Sequence, residues 1–172
     1  NKLKNFNSPF RHSELTGLID DTDSSITNNT TTVTMAKFFT PSLTTSSNYT
    51  VSFNNALYNP HSGHNSSGGG VIASTGFQID GDTSTEYFFD EDGSGNLRTY
   101  SVVSGTRTYL NLTAGSVDYT NGIVSINALK ITAVSNIDGE TSTTIRVTAI
   151  PSSNDIVPVR NQLLELDLVN TT

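Results

Sequence analysis

Gly115-Ser116-Val117-Asp118-Tyr119-Thr120-Asn121-Gly122-Ile123-Val124-Ser125-Ile126 is the stretch whose pattern decides the fold class. Val117 and Tyr119 alternate with polar residues as far as Thr120-Asn121-Gly122, and Val124 and Ile126 alternate beyond it. A period of two places the apolar side chains on one face of an extended strand. Asn-Gly between two such runs predicts a hairpin, because both residues tolerate positive φ.

The same pattern extends outward in both directions. Leu129 and Ile131 prolong the second strand. Upstream, Val33 and Met35 alternate with threonines; Tyr49, Val51 and Phe53 alternate with Thr50, Ser52 and Asn54; Phe77 and Ile79 follow. Glu86 to Phe89 and Leu97 to Val103 flank Asp90-Glu91-Asp92-Gly93-Ser94-Gly95-Asn96, which reads as a hairpin with a long tip. Downstream come Ile145, Val147 and Ala149, then Leu164, Leu166 and Leu168. Short strands with frequent turn signals predict a mainly β fold, an antiparallel sandwich-like domain over residues 30–172.

Residues 1–29 read as a connector or the end of a preceding domain. Ser13 to Ile19 allows at most a short helix, with Ser13 a candidate N-cap and Gly17 an early stop. The chain opens at Asn1 rather than Met, which reads as a piece of a longer protein. Pro60 to Gly70 is rich in Gly and Ser, and 61–70 has no apolar anchors, so it is expected to be an exposed, mobile loop dispensable for folding.

Composition narrows the function classes. Charged residues make up 15% of the 172, below the ~25% of ordinary domains, and 26 Thr and 22 Ser take their place. The net charge is −7 with no basic stripe, which argues against binding nucleic acid or an anionic membrane. No run approaches the ~20 apolar residues of a membrane helix. Without Cys there is no disulfide, thiolate nucleophile or Cys-bound zinc.

Three clusters could carry chemistry. Asp90, Asp92 and Ser94 fall at positions one, three and five of a calcium loop, with Gly95 at six; the twelfth position is Ser101 where a bidentate Glu is needed. They are weak metal candidates beside the plainer reading as an acidic turn. Asp20, Asp21 and Asp23 could hold a hard cation, or simply cap turn amides. His61 and His64 could ligate a metal, but a glycine-rich loop gives them no fixed geometry. No nucleophile elbow, phosphate loop or dinucleotide fingerprint is present, and no cofactor is expected. The absence of Trp weakens a glycosidase reading, so the chain is expected to be no enzyme.

In the last strand pattern, Leu164, Leu166 and Leu168 suit a core face. Leu163, Glu165, Asp167 and Val169 lie on the other face and are candidates for self-association at a strand edge.

Four stretches resemble one family in the same order. They are Ser13-Glu14-Leu15 with Ile19 to Asn29; Ser74 to Phe77 with Tyr87 to Gly93; Gly115 to Tyr119 with Gly122-Ile123-Val124; and Ile145 to Ile156 with Val159 to Leu164. The family is the ring-forming baseplate wedge subunit of T-even-type contractile-tail bacteriophages, of which this chain resembles the C-terminal part. The resemblance implies a virion component, assembled in the bacterial host cytoplasm. It implies a ring of wedges around the tail tube, joined by self-contacts and by other wedge proteins. The composition alone also suits a module of a secreted bacterial adhesin or carbohydrate-binding protein.

Overall fold

The computed structural model describes residues 9–67 and 70–157. Among the described residues strands and bridges take 48% and helix 6%, and the sheets are antiparallel, as the period-two patterning predicts. The chain divides into two compact units, Asn1–Thr32 with Asn154–Thr172, and Val33–Ser153.

In the first unit a short helix, α1, runs from His12 to Asp20. Arg11, not Ser13, holds the N-cap position, and its side chain makes no cap. The cap comes from far along the sequence: the His12 amide donates to Asp155 Oδ1 at 2.9 Å, which also places a carboxylate at the positive end of the helix. The Phe10 and Ile156 amides and carbonyls pair in both directions beside it. The helix ends where the Asp21 amide bonds Gly17 O and the Thr22 hydroxyl bonds Leu18 O.

Among the described residues the second unit holds ten strands. These are β1 (Met35–Phe39), β2 (Ser47–Ser52), β3 (Ile72–Ser74), β4 (Phe77–Ile79), β5 (Asp82–Glu91), β6 (Asn96–Val103), β7 (Thr106–Asp118), β8 (Ile123–Leu129), β9 (Ile131–Val134) and β10 (Ile145–Ala149). One sheet has the order β1-β10-β3 and the other β2-β8-β7-β6-β5-β4-β9. Met35, Ile72, Ile145, Val147 and Ala149 are buried from the small sheet; Val51, Phe77, Phe89, Leu97, Val124, Ile126 and Ile131 are buried from the large one. Fully burying a side chain of this kind stabilises by roughly 1.5–3 kcal/mol.

Leu129 and Ile131 do not share one strand. Lys130 alone separates β8 from β9, yet these strands stand second and seventh in the large sheet. Five steps of about 4.8 Å would part them by roughly 24 Å in a flat sheet, whereas Cα atoms two residues apart reach at most ~7 Å. The large sheet must therefore curl into a half-barrel. The joint is held from the other side: the Asp80 amide donates to Lys130 O at 3.0 Å, and Lys130 Nζ lies 3.0 Å from Asp80 Oδ1.

The β7–β8 hairpin forms as expected, but its turn is longer. Asp118 pairs with Ile123, enclosing four residues, and of Asn121 and Gly122 only the glycine has positive φ. Asp118 accepts from the Asn121 amide and side chain to fix this turn. A tight two-residue turn is formed by Ser104-Gly105, with φ of 50° and 81°, between Val103 and its partner Thr106.

Gly115 marks a close approach within that hairpin. A Cβ there would sit 1.9 Å from the main-chain oxygen of Ser125. We expect Gly115→Ala to force the strands apart and destabilise by about 1–3 kcal/mol, the usual cost of overpacking. Gly17→Ala in α1, where a Cβ meets nothing within 4 Å, should be neutral or stabilising by up to ~1 kcal/mol. Chemical denaturation of both variants checks the contrast.

Candidate functional site

Two adjacent carboxylates, Asp90 and Glu91 at the end of β5, are 1% and 0% exposed. Successive strand residues point to opposite faces, so each needs its own partners. A buried charge is tolerated only when it is paired and hydrogen-bonded.

Asp90 finds its partners on β6 and β7. Arg98 lies opposite it in the β5–β6 register, and Arg98 Nε donates to Asp90 Oδ1 at 2.9 Å. Arg107 Nη1 and the Tyr109 hydroxyl donate to Oδ2 at 2.7 and 2.9 Å. The remaining donors of Arg98 reach main-chain oxygens: Nη2 to Glu91 and Asn65, Nη1 to Ser66. Aromatic rings complete the face. Arg98 stacks over Tyr109 at 4.4 Å and Arg107 over Tyr100 at 4.5 Å, while Phe88 stacks on Tyr100 at 5.6 Å. Burial and the hydrogen bond to Asp90 hold the Tyr109 hydroxyl above its ordinary pKa.

Glu91 gathers a different set. Its Oε2 accepts from the Gly93 amide and the Tyr119 hydroxyl, and its Oε1 from the Asn65 side chain. His64 Nε2 lies 3.8 Å from Oε1. Burial, then the bond to Glu91, push the Tyr119 hydroxyl well above the ordinary tyrosine range.

Asn65 and His64 belong to the Gly/Ser segment. Without apolar anchors, residues 62–66 make polar contacts instead. The Gly63 amide donates to Gly93 O at 2.9 Å, Ser62 and Ser94 hydroxyls meet at 3.3 Å, and Arg98 grips the carbonyls of Asn65 and Ser66. Gly93, with φ of 74°, is needed beneath it, since a Cβ would lie 2.5 Å from the His64 amide nitrogen.

The three weak metal candidates do not converge. Asp90 is committed to Arg98, Arg107 and Tyr109. Asp92 turns back to cap the tip, accepting from the Ser94 and Asn96 amides at 2.7 and 3.0 Å and from the Asn96 side chain. Ser94 faces Ser62. Asp20 and Asp23 also part company: Asp20 accepts from the Asn29 side chain and Asp23 from the Ser25 amide. Among the described residues no three His, Asp or Glu side chains are grouped to hold a metal ion. Leu163, Glu165, Asp167 and Val169 lie outside the described residues.

Glu91, Arg98, Tyr109 and Tyr119 were not singled out in the sequence. The signal was present in the loss of alternation. Tyr87-Phe88-Phe89 shows no polar face, and strands covered on both sides read that way.

Removing one partner of a buried ion pair costs about 3–5 kcal/mol, so Asp90→Asn should destabilise by that order. Arg107→Ala, whose side chain is 37% exposed, should cost about 1 kcal/mol or less. Equal losses in denaturant titrations would contradict this ranking.

The tyrosines give a pH dependence whose sign is fixed. Tyr87, Tyr100, Tyr109 and Tyr119 all have raised folded-state values, chiefly through burial. Below about pH 10 both states keep these protons and the stabilisation is complete; above it the unfolded chain loses them first, so stability falls as pH rises. Stability of Tyr119→Phe should fall less steeply above about pH 10 than that of the parent. Parallel pH profiles would remove Tyr119 from this account.

Residues 1–38 match the model of the family described as baseplate structural protein gp6, C-terminal domain III. That span includes α1 and most of β1. No curated protein and no solved structure matches the chain. The match covers 38 of the 172 residues and points to a structural role in a phage baseplate.

Proposed function

We propose that this chain is a non-enzymatic part of a contractile-tail phage baseplate wedge, joining a ring around the tail tube through self-contacts and contacts with other wedge proteins. The observation that carries the reading is the family match over residues 1–38. The order of the resembling stretches through Leu164 extends it along the chain.

The architecture suits that work. A module that must keep its shape under a contracting tail benefits from charges paired inside it, because such networks fix one arrangement of strands. Apolar surface is also on offer. Val102, Val103, Leu110 and Leu112 on β6 and β7 are each more than half exposed.

An antibody raised against Val33–Ser153 tests the placement. Electron microscopy of purified virions should find label at the distal end of the tail. Label on a bacterial surface, with virions bare, would overturn the baseplate reading in favour of an adhesin. Sedimentation of the chain at high concentration reads the self-contact, and a strictly monomeric profile would count against it for this segment.

A further inference from the structure

The side chain of His64 is 7% exposed, and its Nε2 has no hydrogen-bond partner. Its other ring nitrogen, Nδ1, lies 2.9 Å from the carbonyl oxygen of His61. A carbonyl can only accept, so Nδ1 carries the hydrogen. In a neutral ring Nε2 is then a bare acceptor. It faces Glu91 Oε1, also an acceptor, at 3.8 Å in a site closed to water. Two acceptors opposed in a dry site are unfavourable; a proton between them makes a charge-assisted hydrogen bond.

We propose that His64 and Glu91 form a proton-linked latch that holds the 61–67 segment on the β5–β6 tip. With the proton in place, the segment is drawn onto Gly93 and over Arg98. Without it, the same contact pushes the segment away.

The groups around the latch leave Glu91 as the charge that His64 meets. From its own side, His61 and Tyr58 present ring edges at 6.1 and 6.3 Å. From the β7–β8 turn, Tyr119 packs at 5.9 Å and donates its hydroxyl to Glu91. From β6, Arg98 is matched by Asp90 and spends its other donors on main-chain oxygens. Asp92, at the tip, is turned to the Ser94 and Asn96 amides. The closed segment thus binds one proton more than the open one. By linkage, closure is favoured at low pH and lost as pH rises.

Hydrogen exchange of the full chain tests this, read at the Gly63 and Ser66 amides, which donate to Gly93 O and Gly63 O. After correction for base catalysis, opening should rise by up to about tenfold per pH unit, the most one linked proton allows. His64→Gln should abolish the dependence. Glu91→Gln should also abolish it, because no carboxylate then faces Nε2 to share the proton. Nitrogen-15 spectra of the unaltered protein should show hydrogen on both ring nitrogens of His64 at low pH and on Nδ1 alone at high pH. Exchange that follows base catalysis alone, or a high-pH ring with hydrogen on Nε2, would overturn the latch.

Discussion

Two neighbouring carboxylates inside one protein are an electrostatic problem, and the way Asp90 and Glu91 are satisfied organises much of the larger unit. Because they point to opposite faces of β5, each recruits its own surroundings. Asp90 fixes the register of β5, β6 and β7 through Arg98, Arg107 and Tyr109. Glu91 ties the β5–β6 tip to the β7–β8 turn through Tyr119, and to the 61–67 segment through Asn65. Arg98 touches both halves, since it pairs with Asp90 and donates to Glu91 O. Coulomb attraction in a site of low dielectric is strong, and so is the penalty for leaving either charge alone.

That arrangement sits within a sheet bent by covalent necessity. The single residue between β8 and β9 obliges strands at distant places in the sheet to come together. The curl lets β9 pair with β4 while β8 pairs with β7 and β2. Gly115 contributes by letting β7 and β8 approach more closely than any side chain would permit. Curl, close approach and buried charge are different devices, and each constrains strand positions that apolar packing alone would leave freer.

Much of the fold was legible because it depends on local pattern. Tyr49 to Phe53, Phe77 with Ile79, Val124 with Ile126, and Ile145 to Ala149 announced strands by alternation, and strands lie there. The first part of β7, Thr106 to Thr113, was not read as a strand, although Leu110 and Leu112 alternate with Asn111 and Thr113 there. The break at Lys130 was missed because alternation runs straight through it; only the topology separates Leu129 from Ile131. The candidate site was legible in one respect, that Asp90 and Asp92 lie at a hairpin end. Their partners were not, since Arg98, Tyr119 and His64 are brought to them by tertiary structure. The hold on the 61–67 segment is made of amides, carbonyls and a guanidinium, which no count of apolar residues can register.

The small sheet carries a kinetic consequence. Met35 of β1 pairs with Ala149 of β10, and Ile72 of β3 joins the same strand. All three segments come from widely separated parts of the chain. The entropic cost of closing so large a loop grows only slowly with its length, but folding slows sharply when native pairings are this remote in sequence. Hairpins such as β5–β6 and β7–β8 can form early from neighbours. The three-stranded sheet must wait for the end of the unit to be synthesised. Until then β3 lacks the strand it pairs with in this sheet, and an early tie open to it is the bond from the Phe89 amide to the Ser74 hydroxyl.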